Sequence, residues 1–145
     1  MRHVVIPTTS TTGHPIAMQT AYTGDAGKDL VAAEDYLVTN TPTMVRTGVR
    51  MAIPAGHVGL VCPRSGLAAK YGVTVTNAPG VIDSGFRGEL CVILHTVAPG
   101  ASYPLKAGER CAQLLVMPVP PVTLQEVEEL DDTERGAKGF GSSGK

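Results

Sequence analysis

The sequence predicts an all-β protein, a jelly-roll-like barrel or sandwich of short strands with one short helix. Three observations lead there. Seventeen glycines and eleven prolines in 145 residues favour turns over long helices. Short apolar segments recur along the whole chain, each bounded by Gly, Pro, Asn or Asp. No segment alternates strand and helix patterns as a parallel sheet requires.

In chain order, Val4–Pro7 reads as a first short strand and residues 8–15 as a Thr/Ser/Gly/Pro-rich loop. Asp25-Ala26-Gly27-Lys28-Asp29-Leu30 leads into a strand ending near Ala33. Met44–Ile53 alternates, with Val45, Thr47, Val49 and Met51 on one face and Arg46 and Arg50 on the other, the pattern of a half-buried strand. Pro54-Ala55-Gly56 is a turn into His57–Cys62, predicting a hairpin. Ser65–Tyr71 reads as the single helix, with Ser65 as N-cap and Gly72 ending it. Val73–Val75 is a brief strand. Turns at Asn77–Gly80 and Ser84-Gly85 flank Val81-Ile82-Asp83 and suggest a second hairpin. Phe86–Val97 and Arg110–Val119 are the longest apolar strands. Glu126–Glu134 is an acidic linker or a short frayed helix. The expected division is a β domain over 1–130 and a glycine-rich C-terminal arm over 131–145.

Length bounds the chain to one domain. A net charge of −1 offers no basic field for nucleic acid, so an anionic ligand must rely on local arginines and backbone donors. Cys62, Cys91 and Cys111 lie far apart inside apolar runs, which argues against disulfide or zinc frameworks and for buried free thiols in a reducing compartment. His3, His14, His57 and His95 show no metal-binding spacing. No signal peptide and no membrane-spanning run is expected, and a cytoplasmic location follows.

Several short constellations carry possible chemistry. Arg64 and Ser65 in Pro63-Arg64-Ser65-Gly66-Leu67-Ala68 stand where a helix begins, so Ser65 either caps it or helps hold an anion there. Asp83, between an apolar pair and a turn, either shapes that turn or orients and deprotonates a water. Arg110 and Gln113 interrupt an apolar strand and need partners, either structural carboxylates or a ligand. Asp25 and Asp29 flank Gly27 and either form a turn or hold a metal-bound water.

The arm, Arg135-Gly136-Ala137-Lys138-Gly139-Phe140-Gly141-Ser142-Ser143-Gly144-Lys145, combines an arginine fork, glycine and serine donors and one aromatic face. These suit phosphate oxygens and a stacked base. By composition alone the stretch equally reads as a disordered linker. Gly139 through Lys145 begins a P-loop pattern, but no Ser/Thr and no helix follow Lys145, which rejects a Walker NTPase.

The order of these segments is more specific than any one of them. Asp25-Ala26-Gly27-x-Asp29-Leu30 is followed by Pro63–Ala68, then by Asn77, Gly80-Val81-Ile82-Asp83 and Phe86-Arg87-Gly88-Glu89. Gly108-x-Arg110-x-Ala112-Gln113-Leu114 and the Phe140-Gly141-Ser142-Ser143 arm close the series. This resembles the five ordered motifs of the trimeric dUTP pyrophosphatase (dUTPase) family, over about residues 25–144. The resemblance implies a β jelly roll forming a homotrimer, with active sites at subunit interfaces and each arm covering another subunit's site. It implies cleavage of dUTP to dUMP and pyrophosphate with Mg2+, supplying dUMP for dTMP synthesis and keeping uracil out of DNA. Asp83 would activate the attacking water at the α-phosphate. Asp29 would act on the magnesium network indirectly, through water. Arg64, Ser65, Gly66 and Gln113 would contact phosphates. Asn77, Gly80, Val81, Ile82 and the backbone at Cys91 would line the uracil and deoxyribose pocket. Phe140 would stack on uracil, while Arg135, Gly141, Ser142 and Ser143 close on the terminal phosphates. No nucleic-acid or membrane partner is implied.

Two departures stand out. Phe86 replaces the family's usual tyrosine beneath the deoxyribose, keeping the ring and losing the hydroxyl. Lys28 stands where a less charged residue is common, beside Asp29; Glu109 for the usual aspartate is a neutral change. A dCTP deaminase shares the fold but needs a glutamate deep in the strand Glu89-Leu90-Cys91-Val92-Ile93-Leu94-His95, whose only glutamate is at its start. A nucleotide-sensing or protein-binding module on the same fold is the alternative of another class; loss of Asp83 or of the arm would signal it, and both are present, while an additional protein partner beside catalysis stays open.

Overall fold

The computed structural model describes residues 3–18 and 20–144; Lys145, the last residue of the rejected P-loop match, lies outside them. Two antiparallel four-stranded sheets enclose one core. The first runs in the order β1 (Thr8–Ser10), β4 (Thr43–Met51), β8 (Glu89–Thr96) and β6 (Val73–Val75). The second runs β2 (Lys28–Val31), β10 (Arg110–Pro118), β5 (His57–Cys62) and β7 (Gly80–Ile82). A small third sheet pairs β3 (Tyr36–Val38) with β9 (Tyr103–Leu105), and α1 (Ser65–Tyr71) follows β5.

Period-two patterning places the core. β4 buries Val45, Thr47, Val49 and Met51, and β8 buries Leu90, Val92, Leu94 and Thr96. From the facing sheet come Leu30, Val61, Ala112 and Leu114, all at most 2% exposed. The one hydroxyl in the middle of β4 is satisfied, since Thr47 Oγ1 donates to the Leu90 carbonyl at 2.7 Å, as a buried polar group requires.

The structure corrects four local expectations. The first strand is Thr8–Ser10, not Val4–Pro7; it lies along β4 in the register Thr8 to Met51 and Ser10 to Val49, so tertiary pairing overrides the loop-like composition. β4 and β5 form no hairpin. Ile53 turns into the core at 2% exposure, the His57 N–H closes the turn on the Pro54 carbonyl at 3.1 Å, and the chain passes from the first sheet to the second. Val81 and Ile82 likewise belong to an edge strand, paired only with β5, rather than to a hairpin. The N-cap of α1 is Arg64, without a side-chain cap bond, and Ser65 is the first helical residue; Gly72 ends the helix in the left-handed conformation as expected. Of the two readings of Glu126–Glu134, the structure takes the linker, with no helix there.

The N-terminal loop is pinned to the first sheet by charge. Arg46 donates from Nε to Glu89 Oε2 at 2.7 Å and from Nη1 to Glu34 Oε1 at 2.8 Å, and the Thr11 hydroxyl donates to Glu89. The Arg46 hydrogen bond holds the Glu89 carboxyl below its ordinary range. A depressed native pKa contributes stability that is complete above the unfolded value and lost as pH falls through the native one. Glu89→Gln should therefore lower the melting temperature at neutral pH, and the gap to wild type should close on acidification through the carboxylate range; melts across that range check it.

Candidate active site

One cleft, of about 570 Å3, gathers residues from three distant stretches of sequence. Asp25, Gly27 and Asp29 reach it from β2 and the loop before it. Arg64, Ser65 and Gly66 come from the start of α1, and Arg110 and Gln113 from β10. The pairing of β10 between β2 and β5 sets this convergence, with Gln113 opposite both Asp29 and Cys62.

Asp29 is the centre of the cleft's electrostatics. Its side chain is 16% exposed. Oδ1 accepts from Arg64 Nε at 3.1 Å and Oδ2 from Arg110 Nη1 at 3.3 Å. Arg64 also donates from Nη1 to the Arg110 carbonyl at 3.4 Å. One carboxylate thus yokes two guanidinium groups at the mouth of the cleft. Of the two partners the sequence left open for Arg110, a structural carboxylate or a ligand, the structure supplies the carboxylate of Asp29; spacing along the chain gave no sign of which carboxylate it would be.

Gln113 is fixed from both sides. Nε2 donates to the Pro63 carbonyl at 2.9 Å. Oε1 lies over Gly27, where a Cβ would approach it to 2.2 Å. Gly27 is needed here for close approach, not for backbone freedom.

The remaining expected residues lie elsewhere. Asp83, Asn77, Val81 and Phe86 are exposed, Ile82 is half-buried and Gly80 is buried; none of them lines the cleft. β7 has a free edge, since it is paired only with β5. β6 covers β8 only over Leu94–Thr96, and the Thr76 N–H reaches Ile93. The β8 backbone at Cys91 therefore has no strand partner on that side among the described residues. Both are unpaired backbone edges of the kind a planar base can meet.

The cysteines are free. Only Cys111 is fully buried, and burial pushes its thiol up to about 12; Cys91 is half-buried and also raised by burial, while Cys62 borders the cleft. Among the described residues no group of three or more His, Cys, Asp or Glu side chains is placed to hold a metal ion.

The arm stands apart from the cleft. Its hydrogen bonds are internal: Arg135 Nε donates to the Lys138 carbonyl at 3.0 Å, and the Ser142 N–H to Gly139 at 3.2 Å. Arg135 and Ser142 border a separate hollow formed by the arm itself. Phe140 is fully exposed with φ of 52°, and Gly141 at φ +84° follows it. Upstream, Leu124 and Leu130 are 93% and 86% exposed. No helix is long and apolar enough to cross a membrane among the described residues.

Comparison with known proteins gives these features a common frame. The dUTPase family model matches residues 14–144. The deoxyuridine 5'-triphosphate nucleotidohydrolase of Cutibacterium acnes is 50% identical over 99% of this chain and 94% of its own. That of Mycobacterium tuberculosis is 49% identical over 86% and 84%. The solved Staphylococcus bacteriophage 80alpha dUTPase with dUPNHPP superposes with a TM-score of 0.86 at 28% identity, covering 97% of this chain and 98% of that one. The jelly-roll-like β fold expected from the sequence is the fold of such neighbours. With a family model spanning nearly the whole chain and relatives at half identity, the protein belongs to the dUTPase family.

Proposed function

We propose that this protein is a dUTP diphosphatase, hydrolysing dUTP to dUMP and pyrophosphate in homotrimers with shared active sites. The observation that carries the reading is the cleft in which Asp29 holds Arg64 and Arg110 beside Gln113. It offers guanidinium forks and a carboxamide to a polyphosphate, while Asp83 and the arm remain outside it. A second copy supplying Asp83, the Asn77–Phe86 segment and Cys91, and another supplying the arm, would complete each site.

The Asp83 carboxylate takes a proton from water as the water oxygen bonds to the α-phosphorus; the bond from that phosphorus to the bridging oxygen breaks, and pyrophosphate leaves with the electron pair. Arg64, Ser65, Gly66 and Gln113 meet phosphate oxygens, and Arg135, Gly141 and Ser142 close over the distal phosphates. Preorganised donors of this kind are the main term in phosphoryl chemistry. The free edges at Gly80-Val81-Ile82 and Cys91, with Asn77, read uracil by its donor and acceptor pattern. Phe86 excludes a ribose 2′-hydroxyl and Phe140 stacks on the base.

Mg2+ supplies charge neutralisation on the triphosphate and keeps several waters of its own. The donor set here fits an outer-sphere role: a carboxylate offers about four lone-pair sites, and the two arginines use two of Asp29's, leaving others for water. The free thiols fit a reducing, cytoplasmic setting. Deaminase chemistry finds no support in Glu89, which is committed to Arg46 and Thr11.

The test is pyrophosphate release from dUTP with magnesium, beside dCTP, dTTP and UTP. Selective cleavage of dUTP supports the reading; ammonia from dCTP, or no turnover, overturns it. A narrower expectation concerns Gly27→Ala. Its Cβ would push the Gln113 carboxamide off Pro63 without touching backbone. KM for dUTP should rise about five- to tenfold, the size of one net hydrogen bond, with a fall of only a few degrees in melting temperature from the lost Gln113–Pro63 bond; steady-state kinetics and a melt check both halves.

A further inference from the structure

Asp83 follows β7 directly and is exposed, and among the described residues its carboxylate accepts no hydrogen bond. A general base must nevertheless sit within hydrogen-bond reach of its water. Its position therefore has to come from the backbone that carries it.

That backbone is tied by its own neighbours. The Phe86 N–H donates to the Asp83 carbonyl at 3.1 Å, closing a four-residue turn. Arg87 then folds back over the turn. Its Nη1 donates to the Ser84 carbonyl at 2.7 Å and to the Phe86 carbonyl at 2.9 Å. Both are carbonyls that the turn itself leaves unused. The Phe86 ring lies over Gly88, where a Cβ would come within 2.6 Å of Cζ. Glu89 anchors the far end through Arg46. The segment from Asp83 to Glu89 is thus held at three successive points, and among the described residues the only side chain that hydrogen-bonds the turn is Arg87.

We propose that Arg87 is a positioning residue for Asp83, a guanidinium clasp that fixes the turn presenting the base; this rests on the dUTPase reading above. The clasp uses charge-assisted bonds to neutral carbonyls, stronger than neutral ones, and both leave the single Nη1 of a rigid, planar guanidinium, which lysine's flexible, strongly hydrated ammonium reproduces only in part. A role in binding phosphate would instead leave the turn intact and show in substrate affinity.

The experiment measures kcat and KM for dUTP in wild type, Arg87→Ala, Arg87→Lys and Asp83→Asn, with melting temperatures for all four. A misplacement of about 1 Å at a reacting group costs on the order of 100-fold. Arg87→Ala should lower kcat by about 10- to 100-fold with KM within about threefold of wild type. Arg87→Lys should recover only part of this, and added guanidinium ion should partly rescue Arg87→Ala and not Asp83→Asn. Melting temperature should hold, because Arg87 is exposed. An unchanged kcat in Arg87→Ala, or an effect confined to KM, overturns the clasp while leaving the enzyme assignment standing. A wild type without dUTP cleavage overturns the assignment itself and the clasp with it. If Arg87→Ala does not fold, a wild-type kcat in Arg87→Lys overturns the clasp, and a kcat loss at unchanged KM supports it.

Discussion

Asp83→Asn is expected to reduce kcat for dUTP by about a thousandfold, in the middle of the range for loss of a positioned general base. The amide matches the carboxylate in size and cannot accept the proton that water must lose. KM should move little, because in the proposed mechanism Asp83 meets the attacking water and not the phosphates. Stability and assembly should also be unaffected, since the side chain is exposed and anchors nothing. Single-turnover pyrophosphate release, together with a melt, separates these effects. Retention of more than about a tenth of the wild-type rate would mean that another group takes the proton.

Removal of residues 131–145 is expected to be nearly as damaging. It deletes the stacking face of Phe140, worth about 1–3 kcal/mol by comparison with other base–aromatic contacts. It also deletes the donors of Arg135, Gly141 and Ser142, and loss of one preorganised donor alone costs about 100- to 1000-fold in rate. The β domain should fold normally, because arm hydrogen bonds stay within the arm. The strongest form of the test mixes chains. Co-refolded Asp83→Asn and arm-deleted chains should regain measurable activity, because some sites then receive Asp83 from one chain and an arm from another. Mixtures as inactive as their components would refute sites shared in this way.

Legibility of the fold tracked side-chain periodicity. β4 alternates over enough residues to declare both its strand character and its inward face, while β5, β8 and β10 were legible as apolar runs bounded by turn signals. β1 escaped because Thr8, Thr9 and Ser10 look like loop and become strand only by lying on β4. β3 and β9 escaped because three residues carry no period, and β9 contains Pro104. The predicted hairpin after β4 failed for another reason: a turn signal reports that the chain bends, not whether the next strand stays in the same sheet. In the site, the motif segments around Asp29, Arg64 and Gln113 meet at one cleft, while the Asn77–Phe86 segment and the arm lie outside it. They could not reveal that Asp29 would be shared by Arg64 and Arg110, because the three are brought together only by β10 lying between β2 and β5. Nor could they separate the cleft from Asp83, since residues close in motif order need not share one chain's surface.

The yoke at Asp29 also governs how the site responds to ionic strength. A lone pair of guanidinium groups would project an attractive potential into solvent; one carboxylate between them removes half of it, in a chain whose net charge is already −1. Beyond a Debye length of about 8 Å an incoming triphosphate meets almost no pull. Its encounter rate should then be nearly flat in salt, unlike that of enzymes that steer anionic ligands over long range. On the proposed mechanism, discrimination among nucleotides is left to events after collision, when the forks would turn from Asp29 toward phosphate and the arm would descend.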